Sequence, residues 1–269
     1  KPMPPLDNTS NDFTSLIAFS TLPSVSISGP NIIINTIVAD ELRKFADRLE
    51  KAKDYEDFQA EVIAIVKETM KNHSRIIFNG NNYSDEWVKE AEKRGLLNLK
   101  STAEALPYFA SQKNIDLFTR NKIFTETEVR SRCEILLENY CKVINIEALT
   151  MLDMAKKDIT PAVFAYIKDL SKTVALKKEI GLDISEDAET QMVSKLSKLA
   201  NSLVAKTEAL DSALLNLDSS ASAEDQAKYF RETVIGAMQE LRAVADQLET
   251  MVGAKYWPYP CYGDMLFSI

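Results

Sequence analysis

Side chains able to do chemistry are few in this chain and poorly grouped. Histidine occurs once, as His73 in "KETMKNHSRIIF", and cysteine three times, as Cys133, Cys141 and Cys261, with no CxxC spacing. One histidine excludes most hydrolase sites, and a zinc site needs further ligands at short intervals. His73 reads as a solvated helix end, where a cation suits the dipole. There is no glycine-rich phosphate loop and no nucleophile elbow. "GNNYSDE" (80–86) is loosely like a calcium loop but lacks the closing glutamate at the required spacing. The helix start after "FNGNNYSDEW" could receive an anion, yet Asn and Gly there serve more simply as turn formers. The acidic pairs Glu126/Glu128, Glu186/Asp187 and Glu224/Asp225 all fall at helix starts, where the dipole accounts for them. Glu138, Glu147 and Asp153 fall on long helical stretches and read as solvated faces. Residue chemistry alone therefore assigns no catalytic residue and no metal ligand, and leaves cofactor-binding residues unknown.

The scaffold that would hold such groups is acidic. Lys and Arg total 32 against 40 Asp and Glu, for a net charge of −8. That balance opposes a nucleic-acid partner and docking on anionic lipid. No apolar run approaches a membrane span of about 20 residues. "KPMPPLDNTSND" lacks the apolar core of a signal peptide. The chain opens on Lys1 rather than Met, which suggests a fragment or processed product. Three cysteines without a framework point to a reducing cytoplasm.

Its punctuation is helical. Ser28 and Pro30 open "SGPNIIINTIVADELRKFADRLEKA", with Ile33, Ile37, Leu42, Phe45 and Leu49 at roughly helical spacing. The next helix is expected to bury Phe58, Val62, Ile65 and Val66. "RIIFNGNNY" (75–83) reads as one short β or loop excursion. Ser84 then caps a helix that stops at Gly95, and capping boxes follow at Ser101/Glu104 and Thr125/Glu128. Pro161 predicts a kink or break near Ile159 in a helical run that otherwise continues to Gly181.

The last third carries two heptad seams. Met192, Leu196, Leu199, Leu203, Lys206, Leu210, Ala213 and Leu217 form the first. Ala227, Phe230, Val234, Ala237, Leu241, Val244, Leu248 and Met251 form the second. Joined by "DSSASAED", with Ser222 and Asp225 as a cap, they predict an antiparallel helical hairpin over 186–252. The hairpin either packs on its own domain or joins subunits. Lys206 on its seam suggests an exposed or bent tip. The aromatic end, 255–269, predicts an extended tail docked in an apolar groove.

Several stretches taken together resemble the C-terminal portion of type III glutamine synthetase. They are "SISGPNIIINTIVADEL", "RIIFNGNNYSDEWVKEAEKRGLLNL", "ALPYF", "FTETEVRSRCEILLENYCKVINIEALTMLDMAKKDITPAV", "AMQELRAVADQLETMV" and "YWPYPCYGDMLFSI". The resemblance runs from about Asp7 to the last residue. It implies an ATP-dependent ligase that joins ammonia to glutamate through a γ-glutamyl phosphate, with carboxylate-held magnesium or manganese, in stacked rings. It also implies that the catalytic sheet and most metal and ATP ligands lie upstream of this segment.

The same resemblance explains "DNTSNDFTSLIAF". In the family this stretch leads into Arg-Thr-Ser-Pro-Phe-Ala-Phe, followed by a strand bearing a metal-binding Glu and an Arg near the transferred phosphate. Here Phe13 stands in the place of the arginine and Leu16-Ile17 in that of Pro-Phe. "STLPSVSISGPN" is too short for the strand. Losing such groups costs a few kcal/mol each in transition-state stabilisation. The chain is either part of a longer enzyme or a truncated relative that keeps the helical extension.

The expected fold is mainly α, with a helical hairpin and a small α+β remnant. Residues 1–83 would end the catalytic domain and 84–269 would form the helical domain. The expected role is structural and oligomerising within a homo-oligomer or the remainder of a synthetase ring. No cofactor is expected in this chain alone, and it should not synthesise glutamine by itself. The alternative is a stand-alone, non-catalytic helical interaction protein.

Overall fold

The computed structural model describes residues 28–180, 185–260 and 262–267. The catalytic-domain remnant expected around Phe13, and the positions of Gly181 and Cys261, lie outside them. Every regular element described is helical. The first are α1 (Ser28–Leu49), α2 (Tyr55–Asn72), a 3-10 turn (Ser74–Ile76), α3 (Asp85–Lys93), α4 (Thr102–Phe109), α5 (Gln112–Arg120) and α6 (Glu126–Asp153). A π turn (Met154–Ile159) leads into α7 (Thr160–Ile180), followed by α8 (Asp187–Leu215) and α9 (Ala223–Tyr229). A second π turn (Phe230–Val234) precedes α10 (Ile235–Glu249) and α11 (Tyr262–Phe267). The chain is mainly α, with no strand among the described residues. The stretch 75–83 is the end of the 3-10 turn followed by loop. Two compact units divide within α6, the first up to Glu138 and the second from Asn139.

Local signals place the helix ends of the first unit. Asp54 caps α2 by accepting from the Asp57 N–H at 2.8 Å. Ser84 accepts from Trp87 N–H, and Ser101 from Glu104 N–H. Thr125 and Glu128 exchange reciprocal bonds at the start of α6, each satisfying an N–H that the helix leaves open. Gly95 ends α3 with φ +71°. Leu96 N–H reaches Ala91 O and Gly95 N–H reaches Glu92 O, a Schellman closure.

Inside this unit Leu106, Phe118 and Val129 are almost fully buried with Ala103, Phe109, Ile115 and Cys133. The Phe109, Phe118 and Phe124 rings touch in series, with centroids 5.8 and 5.3 Å apart, and Arg132 lies over Phe124. Two expectations change here. The buried side of α1 is Pro30, Ile33, Thr36 and Asp40, while Ile37 and Leu42 face outward. Helix α5 meets α1 at Asp40 through ion pairs, so a carboxylate rather than a leucine sets the facing side. On α2 only Ile65 is buried, and Phe58, Val62 and Val66 are exposed. The α1–α2 contact is partly ionic: Arg48 reaches both Glu61 and Glu68 at 2.7 Å.

The second unit contains the hairpin. Helix α8 packs along α10 on one side and α7 on the other, so the predicted pair sits within a three-helix arrangement. Leu196, Leu203 and Leu210 face α8's neighbours with no exposed surface, and Val234, Leu241 and Leu248 are equally enclosed. Tyr229 Oη donates to Ala213 O at 2.8 Å, and Lys206 Nζ to Glu240 at 2.6 Å. This is antiparallel pairing. Lys206 is not at the tip; it flanks the seam, and Thr207 beside it is the buried residue. Ser222 caps the second arm by accepting from Asp225 N–H. The Pro161 break takes the form of the first π turn, one of the recognised ways to absorb a disturbed ladder. Thr160 Oγ1 donates to Ala155 O at 2.7 Å, reinforcing the turn just before the proline.

Replacing Leu203 by Ala should cost about 3 kcal/mol, a transfer loss plus a cavity. Lys206→Ala should cost no more than about 0.5 kcal/mol, because that pair is solvent-screened. Urea melts of the two variants, followed by Trp257 fluorescence, check the ordering.

Candidate functional site

Most of the residues singled out in the sequence make helix-end contacts or local ion pairs. His73 closes α2, its N–H donating to Thr69 O, and its side chain is exposed. Glu126 pairs with Arg130, Glu224 with Lys228, and Glu186 with Lys178. Glu128 is held below the usual carboxylate range first by the Thr125 backbone N–H and then by its hydroxyl. Asp153 pairs with Lys157 across the start of the π turn. Glu147 departs from its expected solvated face: it is half-buried on α6, and desolvation raises its pKa.

The polar loop before α3 is firmly built. Asn81 Oδ1 accepts from Tyr83 N–H at 3.0 Å, and Asn81 O from Ser84 N–H at 3.2 Å. Phe78 stacks on Trp87 with centroids 4.3 Å apart. Arg94 lies over both rings and donates to Ile77 O at 2.9 Å. A Cβ at Gly80 would come within 2.6 Å of the Phe78 ring, so a larger residue there would have to displace that ring. Asp85 and Glu86 fill the first turn of α3. They already complement the positive helix end, which disfavours a further anion.

The densest charged cluster surrounds Asp40, on no sequence motif. Its side chain is 2% exposed. Arg120 grips it with both ends, Nε to Oδ1 at 3.0 Å and Nη2 to Oδ2 at 2.8 Å. Asn121 Nδ2 donates to Oδ1 at 2.8 Å, Arg43 Nη2 to Oδ1 at 3.0 Å, and Lys44 Nζ lies 2.9 Å from Oδ2. Arg120 foremost, opposed by burial and aided by Asn121, Lys44 and Arg43, holds the carboxyl far below its ordinary pKa. A fork of this kind is a strong charge-assisted contact. It fixes α5 against α1, and the carboxylate has no open face for a substrate. The sequence hints at part of the cluster, since Arg43 and Lys44 follow Asp40 at helical spacing.

In the second unit the aromatic tail docks on α7 and the first π turn. Tyr256 Oη donates to Asp169 at 2.5 Å and Tyr259 Oη to Asp158 at 2.8 Å. The Tyr166 and Tyr256 rings lie 5.2 Å apart. The Trp257 indole N–H is buried without an oxygen or nitrogen acceptor among the described residues, and its ring meets Tyr259 edge-on. Burial first, and Asp158 second, push the Tyr259 phenol up to about 12. The tail is thus a polar-anchored dock rather than a purely apolar one, and residues 262–267 are helical where an extended end was expected. Among the described residues no three His, Cys, Asp or Glu side chains gather as a metal-binding group.

The profile of the glutamine synthetase C-terminal domain matches residues 61–178. A glutamine synthetase of Butyrivibrio fibrisolvens is 41% identical over 98% of this chain, which covers 38% of that protein. The type-3 glutamine synthetase of Dictyostelium discoideum is 34% identical, again over 98% of the chain and 37% of its own length. Over nearly its whole length the chain is similar to the C-terminal portion of glutamine synthetases. A glutamine synthetase of Bacteroides fragilis is 26% identical over the same share of the chain. The chain spans less than two fifths of the length of the curated relatives it matches. No helix of its described residues is long and apolar enough to cross a membrane.

Two measurements test these contacts. Asp40→Ala should destabilise the first unit by about 2 kcal/mol, a buried-pair cost discounted for the half-exposed cations. Because the folded pKa is depressed, that contribution is present above the unfolded value of about 4 and is lost as pH falls below it. Trp87 fluorescence in a Trp257→Phe background should show acid sensitivity that Asp40→Ala removes. For Tyr259 the folded pKa is raised, so its contribution is present below the unfolded value of about 10 and is lost as pH rises toward about 12. Trp257 emission should report tail release over that interval, and Tyr259→Phe should abolish the phenol-linked part of the transition.

Proposed function

We propose that this chain is the structural, assembly-bearing C-terminal portion of a glutamine synthetase whose complete form joins ammonia to glutamate with ATP. The observation that carries the reading is the match along 98% of the chain to synthetases that extend well beyond it. The use of the charged side chains supports it. Phosphoryl transfer needs cations and carboxylates that are free to meet substrate and metal. Here Asp40, Arg120 and Arg48 join helices to one another, and Asp158 and Asp169 hold the tail. In this reading ATP and the divalent metal are bound by the preceding portion of the synthetase. The partners are copies of the same polypeptide in a ring, and the compartment is the cytoplasm.

The test compares two proteins. One is this chain alone; the other is a chimera in which it replaces the matching C-terminal portion of the Butyrivibrio fibrisolvens synthetase. Given glutamate, ammonia, ATP and Mg²⁺ or Mn²⁺, the chimera should form glutamine and the chain alone none above background. Glutamine made by the chain alone, or an inactive chimera, would overturn the reading.

A further inference from the structure

Exposed apolar side chains occur in both units, Phe164, Leu176 and Ile180 of α7 among them, but the hairpin seams and the first two helices differ. In the second, the hairpin seams are filled from within: Leu196, Leu203, Leu210, Val234, Leu241 and Leu248 are at most 1% exposed. The first two helices of the first unit are less complete. On α1, Ile34 is 42% exposed, Val38 51% and Leu42 60%; on α2, Ile63 is 53% exposed and Val66 and Met70 are each 55% exposed. The α1 stretch from Ser28 to Ala39 is the longest run without a charged residue among the described residues. It carries apolar side chains on both sides of its buried row. A helix facing water is normally polar on its outer side, and one that is apolar around most of its girth belongs inside a larger body. Exposed isoleucines and valines collected this way mark a contact.

We infer that the outer faces of α1 and α2 are the seat on which the preceding portion of the synthetase packs, and that the hairpin is not. The inference rests on the function proposed above and names its contact surface. Two observations choose this occupant. The relatives are more than twice as long as this chain, and the chain matches their C-terminal portion, so most of their length lies before it. The charge-free apolar run opens the first described element of the chain, toward its N-terminal end, the side on which that preceding length lies. Helix α8, by contrast, already has α7 and α10 against it.

Cysteine accessibility tests this in the intact chimera and in the chain alone. In a Cys261→Ser background, Val38→Cys and Val66→Cys are labelled with a maleimide, beside Leu215→Cys near the hairpin tip as comparison. In the chain alone all three should react readily. In the active chimera the rates at positions 38 and 66 should fall at least tenfold while that at 215 stays unchanged. Unchanged rates at 38 and 66 in an active chimera would overturn the inference and leave the proposed function standing. Equal protection at 215 would put the hairpin in the same contact and overturn the preference. Protection in the chain alone would also overturn it: if it grows with concentration the occupant is a second copy, and if it persists on dilution the occupant is the chain's own residues. A chimera that makes no glutamine, although the chain alone stays helical, would sink the proposed function and this inference together.

Discussion

The second unit depends on one row of leucines covered from two sides. Leu196, Leu203 and Leu210 recur at intervals of seven, so they stay on one stripe of α8 as it winds. A single helix could cover only part of such a stripe. With α10 and α7 both packed along α8, all three are sealed from water. At roughly 25 cal/mol per Å² of apolar surface removed from water, each enclosed leucine contributes about 2 kcal/mol. That is large beside the exposed ion pairs that decorate the same helices. The pairs Lys206–Glu240 and Lys156–Asp211 therefore set register more than strength.

In the first unit the equivalent part is played by a charge. Asp40 sits where an apolar residue would be expected, and its burial alone would be costly. It is tolerated because Arg120 and Asn121 arrive from the end of α5 while Arg43 and Lys44 reach back along α1. Five donor atoms from four side chains converge on two oxygens and leave little of the carboxylate unsatisfied. This arrangement turns α1 so that Thr36 and Asp40 face inward and Ile37 faces outward. The exposed apolar face of α1 is a direct consequence of where its one buried charge is held.

The two π turns belong to the same economy. The first lies just ahead of Pro161, where the ladder must lose a donor, and Thr160 supplies a side-chain bond to Ala155. The second, at Phe230–Val234, falls within the arm that pairs with α8 and keeps both Phe230 and Val234 buried. Both allow a long helix to change phase without ending. The tail then uses Asp158, in the first π turn, as one of its two anchors.

What the sequence determined is what one or two helical turns can decide. Ser84, Ser101, Thr125 and Ser222 bond to N–H groups three residues away, so a cap is legible from four letters. The hairpin was legible because a seven-residue repeat keeps its phase along a helix whatever the partner. What only the tertiary structure decided rests on partners remote in sequence. Asp40 and Arg120 are 80 residues apart, and Tyr259 and Asp158 are 101 apart. Arg43 and Lys44 stand at helical spacing from Asp40, but no local pattern signals the remote partner of either carboxylate. The same holds for the face of α1, the burial of Thr207 in place of Lys206, and the exposure of Val62 and Val66 on α2. Periodicity names an apolar side of a helix, but only the arrival of a neighbour determines which side is covered.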